Sequence, residues 1–348
     1  MIDPVAERVN GTPRTIRLAI ISGGRGVLHL DAAAPQWQAG LDDVRATIET
    51  LAPRTEVLLA GGEPTLHPRL PEILDLLSSA GFDLPGMVTD GLALADGKLA
   101  RELMARGLRR VVIQIHCARP AGHDFVAGIA GAARRMIPAV RTCRELRLDV
   151  EAEIVMTRPT VAHLAETVAV LHRLGIERVR LSWLAPSQVE DSRVVCLVAR
   201  LLLQTRHVAA ATKLARQFGV DLSLAGVPEC LRAACGADAP RACTEPWVVP
   251  AAAQSAGLRL TPHGPGRLVA CTRCQAADQP VEEAHHPSRS SFPRKRESSL
   301  LADSWTPAFA GVTEGTGFST ACYRCAGAPA EYVATFGWLE IDMARRPE

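Results

Sequence analysis

Ten cysteines lie in the 348-residue chain, none before Cys117, and seven of them fall between Cys230 and Cys325. Four of the seven form two Cys-x2-Cys pairs, Cys271/Cys274 and Cys322/Cys325. Paired thiolates at this spacing chelate a soft metal, and a structural zinc ribbon is their ordinary reading. Without a secretion signal, clustered cysteines point to metal or redox chemistry before disulfides. A second candidate is Leu58-Leu59-Ala60-Gly61-Gly62-Glu63-Pro64-Thr65-Leu66-His67-Pro68, an apolar strand running into two glycines, a carboxylate and a proline. Glycines there let backbone approach a ligand without a Cβ in the way. A carboxylate at a strand end suits a ligand ammonium group, although alone it reads equally as an exposed Glu in a βα turn.

Other reactive side chains have plainer readings. Cys117, Cys143 and Cys196 sit in apolar contexts expected to be core. His163 and His172 lie on an expected helix and are expected to face solvent. His116 ends a strand, where an active-site role is open to it, and His123-Asp124 are placed to cap the following helix.

These residues need a scaffold, and the pattern from residue 15 to about 184 supplies one. Expected strands are Thr15–Ile21, Glu56–Ala60, Pro85–Thr89, Arg110–His116, Val150–Thr157 and Arg178–Trp183. Between them run helical patterns at Leu41–Leu51, Pro68–Ala80, Gly97–Arg106, Gly128–Leu146 and Val161–Leu174. Such alternation implies parallel βα units. An open doubly wound sheet and a partial, six-unit barrel both satisfy it. A longer helix over Ser192–Phe218 leads to a strand-like run at Val220–Leu224, after which Pro, Gly and Cys rise. The expected division is an N-terminal segment 1–13, an α/β domain 14–218 and a cysteine-rich region 219–348, too loop-rich to hold itself together without a staple.

Composition excludes several classes. The chain is 47% hydrophobic and 22% charged, with a net charge of +2, so no broad basic face for nucleic acid is expected. The longest apolar run, Val194 to Leu203, is broken by Arg200 and falls short of the ~20 residues a bilayer needs. Asp3, Glu7 and Arg8 precede any apolar stretch, unlike a signal peptide. A soluble, cytoplasmic protein is expected.

Residues 286–315 read as foreign. Phe292-Pro293-Arg294-Lys295-Arg296-Glu297 can be encoded with CCCGCGAAAGCGGG, whose reverse complement reads Pro-Ala-Phe-Ala-Gly, the sequence of Pro307–Gly311. The two ends are thus readable as inverted copies of one DNA stem, as in a translated bacterial palindromic repeat inserted in frame. Arg294-Lys295-Arg296 is then no targeting or nucleic-acid signal. Without the insert, the two Cys-x2-Cys pairs come within about 20 residues, the spacing of one metal site.

The segment GGEPTLHP, followed by Val88-Thr89-Asp90-Gly91, resembles the radical S-adenosylmethionine (SAM) superfamily. VIQIHCARPAGHDFVAG (112–128), Val155-Met156-Thr157-Arg158-Pro159 and Leu181-Ser182-Trp183 resemble later strand ends of its peptide-maturase branch. Over residues 14–184 the resemblance implies a partial (βα)6 TIM-like barrel. It implies SAM contacts at Gly61, Gly62 and Glu63 and at the strand ends Thr89, His116 and Thr157. The family also carries Cys-x3-Cys-x2-Cys after the first strand, ligating the [4Fe–4S] cluster that generates the radical. Those positions fall on Gly23, Val27 and Leu30, and His29 is the one ligand type nearby.

The tail resembles the auxiliary-cluster (SPASM/twitch) region of the same maturases. That implies iron–sulfur ligands at Cys230, Cys271, Cys274 and Cys325, with Cys322 as a substitute and zinc as the alternative metal. Cys235 and Cys243 serve if the assignment shifts. Cys325-Ala326-Gly327, Tyr332 and Phe336-Gly337-Trp338 fit the family's ending. Three functions follow as expectations: a degenerate member that binds SAM, a precursor peptide or an active maturase partner; an active radical enzyme on a peptide; or a metal-stabilised scaffold without catalysis.

Overall fold

The computed structural model describes residues 8–9, 12–13, 15–21, 37–51, 55–82, 84–183, 197, 199, 201–225, 232, 235–243, 247–251, 268–269 and 328–329. Six strands follow the expected order: β1 (Thr15–Ile21), β2 (Glu56–Gly61), β3 (Gly86–Thr89), β4 (Arg110–Gln114), β5 (Asp149–Met156) and β6 (Arg178–Trp183). They pair in parallel, each with the next. The sheet then continues beyond residue 218. Asp221–Ala225 (β7) pairs in parallel with β6, and Arg241–Ala242 (β8) with β7. Trp247–Pro250 (β9) returns to the opposite edge and pairs in parallel with β1. The position expected to divide the chain, 218/219, therefore falls just before three strands of this same sheet.

Two observations require the sheet to curl. Nine strands laid flat would set the outer two about 38 Å apart. Only residues 243–246 join β8 at one edge to β9 at the other, a reach of about 18 Å at most. Likewise Arg17 Nη2 on β1 lies 2.5 Å from Glu153 Oε1 on β5, four strands away. The side chains meet across the interior of a partial barrel.

Helices cover the outside, among them α1 (Leu41–Ile48) and α3 (Lys98–Ala105). In α2 (Leu70–Ser79) the buried residues Leu70, Ile73, Leu74 and Leu77 recur at helical spacing and pack with Ile16, Leu18, Val57 and Leu59 in one cluster. The stretch expected as one helix over 128–146 is preceded by a separate short one. Pro120–Ala127 (α4) ends at Gly128 in the left-handed region, and Ala132–Glu145 (α5) follows. Asp124 accepts from the backbone N–H groups of Gly131 and Ala133, so it caps α5 as expected. The final helix, Leu201–Phe218, packs on the 164–173 helix.

The inward face carries charge on alternate strand positions. Glu153 pairs with Arg17; Arg180 Nη2 lies 3.4 Å from Glu151; Glu151 pairs with Arg110, whose Nη1 lies 3.2 Å from Glu56. Thr15 and Ser182 donate to Glu56 and Glu153, each at 3.0 Å. Burial opposes ionisation of Glu153, but Arg17, Arg180 and the hydrogen bonds from Arg17 and Ser182 prevail and hold its carboxyl at about 2. Nearer the strand C-termini the interior turns apolar, with Leu58, Ala60, Val88 and Val112 in a separate cluster.

Candidate ligand site at the strand C-termini

Strand β2 ends at Gly61, and only glycine fits there. Its φ is +113°, and a Cβ would stand 2.1 Å from the carbonyl oxygen of Ile21. Gly62 N–H then donates to that same carbonyl at 2.7 Å, drawing the Gly-Gly turn against the end of β1. Pro64 opens a 3-10 turn, Pro64–Leu66, with Glu63 as its N-cap.

Glu63 is 1% exposed and its carboxylate is ringed by donors. Oε1 accepts from Thr65 N (3.0 Å), Thr65 Oγ1 (2.6 Å) and Thr89 Oγ1 (2.7 Å), and Oε2 accepts from Asp90 N (2.7 Å). The end of β2 is thereby tied to the end of β3. Burial, and next the Asp90 charge, push the Glu63 carboxyl up to about 7 against the hydrogen bonds from Thr65, Asp90 N–H and Thr89. Asp90 itself uses Oδ1 to accept from Leu92 N at 2.8 Å, and Gly91 N donates to Thr89 Oγ1 at 3.0 Å. Asp90 Oδ2 is a buried acceptor with no hydrogen-bond donor among the described residues.

His67, in the same motif, is structural. Its Nδ1 accepts from Arg69 N and its Nε2 donates to the Ala39 carbonyl, both at 3.1 Å. Burial lowers its pKa.

The remaining expected contacts stand further along the same rim. His116 follows β4; its backbone N–H donates to His123 Nδ1 at 3.2 Å, and the two rings lie 5.2 Å apart. His123, on α4, is buried, and burial lowers its pKa. Thr157 follows β5, fully buried, with its hydroxyl 2.7 Å from that of Thr160. The structure thus joins Glu63 and Thr89 directly, while His116 and Thr157 are each engaged with near neighbours. Sequence reasoning gave no role to Asp90, which stood in view beside Thr89, nor to the interior charges.

Gly23, Val27, Leu30, His29, Cys196, Cys230, Cys271, Cys274, Cys322 and Cys325 lie outside the described residues. Among the described residues, no group of three His, Cys, Asp or Glu side chains is arranged to hold a metal. Cys117 and Cys143 are buried, and burial pushes the Cys143 thiol up to about 12. His172 is exposed and stacks on Phe218, whereas His163 is half-buried. No helix among the described residues is long and apolar enough to cross a membrane.

No family model matches the chain. It is 28% identical over 158 residues to the PqqA peptide cyclase of Gluconobacter oxydans, covering 45% of this chain and 42% of that protein. It is 30% identical over 131 residues to a probable GTP 3′,8-cyclase of Sulfolobus acidocaldarius, covering 37% and 41%. Each alignment therefore spans less than half of the relative. Among solved structures, Streptococcus suis SuiB bound to S-adenosylmethionine superposes with a TM-score of 0.52 at 13% identity, covering 72% of this chain and 63% of that one. In its parallel partial barrel, and in relatives of this kind, the chain is similar to proteins of the radical SAM superfamily. Within that class its relatives include peptide-modifying maturases.

Proposed function

We propose that the chain is a radical SAM superfamily member that has lost the radical-generating cluster. In this reading it binds SAM at the rim formed by β2 and β3 and serves a precursor peptide or an active maturase as a binding partner. One observation carries the proposal. No cysteine precedes Cys117, and the three positions aligned with the cluster ligands are Gly23, Val27 and Leu30. Iron in such a cluster needs thiolates, and this donor set does not fit it.

The rim does fit the cofactor. A buried acceptor, Asp90 Oδ2, has no donor among the described residues, and SAM carries a primary ammonium. Bound SAM would supply a sulfonium electrophile and a nucleoside handle. The chain's own part is to hold the rim rigid through the Glu63 hydrogen bonds and to keep water from the carboxylate. In the tail, Cys230, Cys271, Cys274 and Cys325, with Cys322 in reserve, are proposed to hold a [4Fe–4S] cluster, with zinc as the alternative. The retained Gly61-Gly62-Glu63 turn favours cofactor binding over a scaffold without one.

Anaerobically reconstituted, reduced protein given SAM should form no 5′-deoxyadenosine above a protein-free control. Reproducible formation that disappears in Glu63→Ala would overturn the proposal and restore an active enzyme.

A further inference from the structure

The two oxygens of the Glu63 carboxylate are not equivalent. Each carboxylate oxygen offers about two lone-pair sites. Three donors converge on Oε1: Thr65 N at 3.0 Å, Thr65 Oγ1 at 2.6 Å and Thr89 Oγ1 at 2.7 Å. Oε2 accepts one hydrogen bond, from Asp90 N at 2.7 Å. Oε1 is therefore filled, and Oε2 keeps room for one more donor. The rim around this buried side chain is open, with Gly61 exposed and Gly62, Thr65 and Asp90 half-buried.

The hydroxyls that fill Oε1 come from different elements. Thr65 lies in the 3-10 turn just after Glu63, and Thr89 ends β3, 26 positions along the chain. Thr89 Oγ1 also accepts from Gly91 N at 3.0 Å, which leaves its single proton for Glu63. Backbone donors alone would brace the strand ends, since Thr65 N and Asp90 N already reach one oxygen each. The hydroxyls do more: they fix which oxygen is spent, and they favour the carboxylate over the carboxylic acid. Burial, and next the charge of Asp90, push Glu63 up to about 7, so its ionisation is finely balanced at neutral pH. We infer that Thr65 and Thr89 are positioning residues for ammonium recognition: by filling Oε1 they leave Oε2 as the oxygen that meets the ligand ammonium. This inference rests on the proposal that the rim binds SAM, with Glu63 facing its ammonium.

The experiment is equilibrium binding to the full chain by titration calorimetry at pH 6 and pH 8, with three probes. SAM carries the ammonium and a carboxylate, decarboxylated SAM keeps only the ammonium, and 5′-methylthioadenosine has neither. Thr89→Val removes the hydroxyl at nearly unchanged volume. At pH 6 it should weaken SAM and decarboxylated SAM by about tenfold, the effect of one pKa unit in the accepting carboxylate. At pH 8, where Glu63 is mostly ionised in the wild type, the deficit should shrink to about twofold. Affinity for 5′-methylthioadenosine should stay that of the wild type at both values. Thr89→Ser keeps the hydroxyl and should bind SAM as the wild type does. Thr65→Val, at a half-buried position, should repeat the Thr89→Val pattern and carries the test if that variant does not fold. Equal loss for all three probes, a deficit independent of pH, or Thr89→Ser as weak as Thr89→Val would show bracing alone and overturn the assignment. So would unchanged SAM affinity in both valine variants, while leaving the SAM site itself standing. Wild-type protein that does not bind SAM would refute the SAM site and the assignment together.

Discussion

Glu153→Gln tests the barrel most directly, because it removes one charge from the middle of the interior network and little volume. Glu153 is fully buried, so no solvent screening discounts its interactions, and its carboxyl is held from 4.5 down to about 2 by Arg17, Arg180 and their hydrogen bonds against the cost of burial. A displacement of that size, at ~1.4 kcal/mol per pKa unit, corresponds to about 3 kcal/mol of native-state stabilisation. Removing one member of a buried ion pair costs ~3–5 kcal/mol by an independent route, since the partner cations stay behind. The two agree. The sign follows from the depressed pKa: the contribution is present above about pH 4.5 and is lost as pH falls toward 2. Urea unfolding followed by far-ultraviolet circular dichroism at pH 7 should show Glu153→Gln less stable by about 3 kcal/mol. Between pH 4.5 and 2 the wild type should lose stability more steeply than the variant. A loss below about 1 kcal/mol at pH 7, or identical pH dependence of the two proteins, would show that the charges do not hold the strands across the interior.

Glu63 has the opposite sign. Its pKa is raised to about 7 by burial and by Asp90, so its native-state contribution is complete below about pH 4.5 and lost as pH rises through 7; Glu63→Gln should remove that segment of the stability–pH curve. In the tail, Cys271→Ala or Cys274→Ala should abolish iron and sulfide loading on anaerobic reconstitution, and bound zinc without sulfide in the parent protein would favour the ribbon. Deleting residues 286–315 should leave melting temperature and metal content intact or slightly improved, because closure entropy grows with loop length as (3/2)RT ln n; aggregation or metal loss would count against an inserted repeat.

Strand order was legible because buried parallel strands write themselves as short apolar runs. Thr15–Ile21 and Arg178–Trp183 have the bounds their sequences imply, and β2 runs one residue past Ala60 to Gly61. Curvature was not legible. It depends on contacts such as Arg17 with Glu153, whose partners are 136 positions apart, and on the return of Trp247–Pro250 to β1. A signal was nevertheless present, since Arg17, Glu56, Arg110, Glu151, Glu153 and Arg180 occupy strand positions otherwise suited to apolar residues. The separate helix α4 was missed, although Pro at its first turn and glycine at its end are ordinary helix boundaries. At the site, the motif led to Glu63, which the structure buries just past the end of β2. That Thr89 and the Asp90 N–H would brace Glu63 depends on hydrogen bonds between two strand ends, which no local pattern encodes.

The two ends of this barrel carry different duties, and that separation bears on the proposed loss of a cluster. The interior charge network begins at the N-terminal ends of the strands, with Thr15, Glu56 and Arg110, and extends inward to Glu153 and Arg180. The outer faces pack on helices through Ile, Leu and Val. The charge network uses no cysteine, while the helix-facing cluster includes Cys143 and Cys235. Thiolates after β1 would stand at the opposite, C-terminal end, where Gly61 and Gly62 draw β2 against Ile21 by backbone alone. On the proposed reading, in which Gly23, Val27 and Leu30 replace thiolates, the described charge network holds the sheet without any thiolate. Core stability and cofactor chemistry are therefore nearly independent in this fold, as expected when groups far apart share no partners. Selection on the second can relax while the first is kept. The Glu63 brace marks the boundary between them, because its hydrogen bonds to Thr65, Thr89 and the Asp90 N–H serve the strand ends as structure whether or not a ligand is bound.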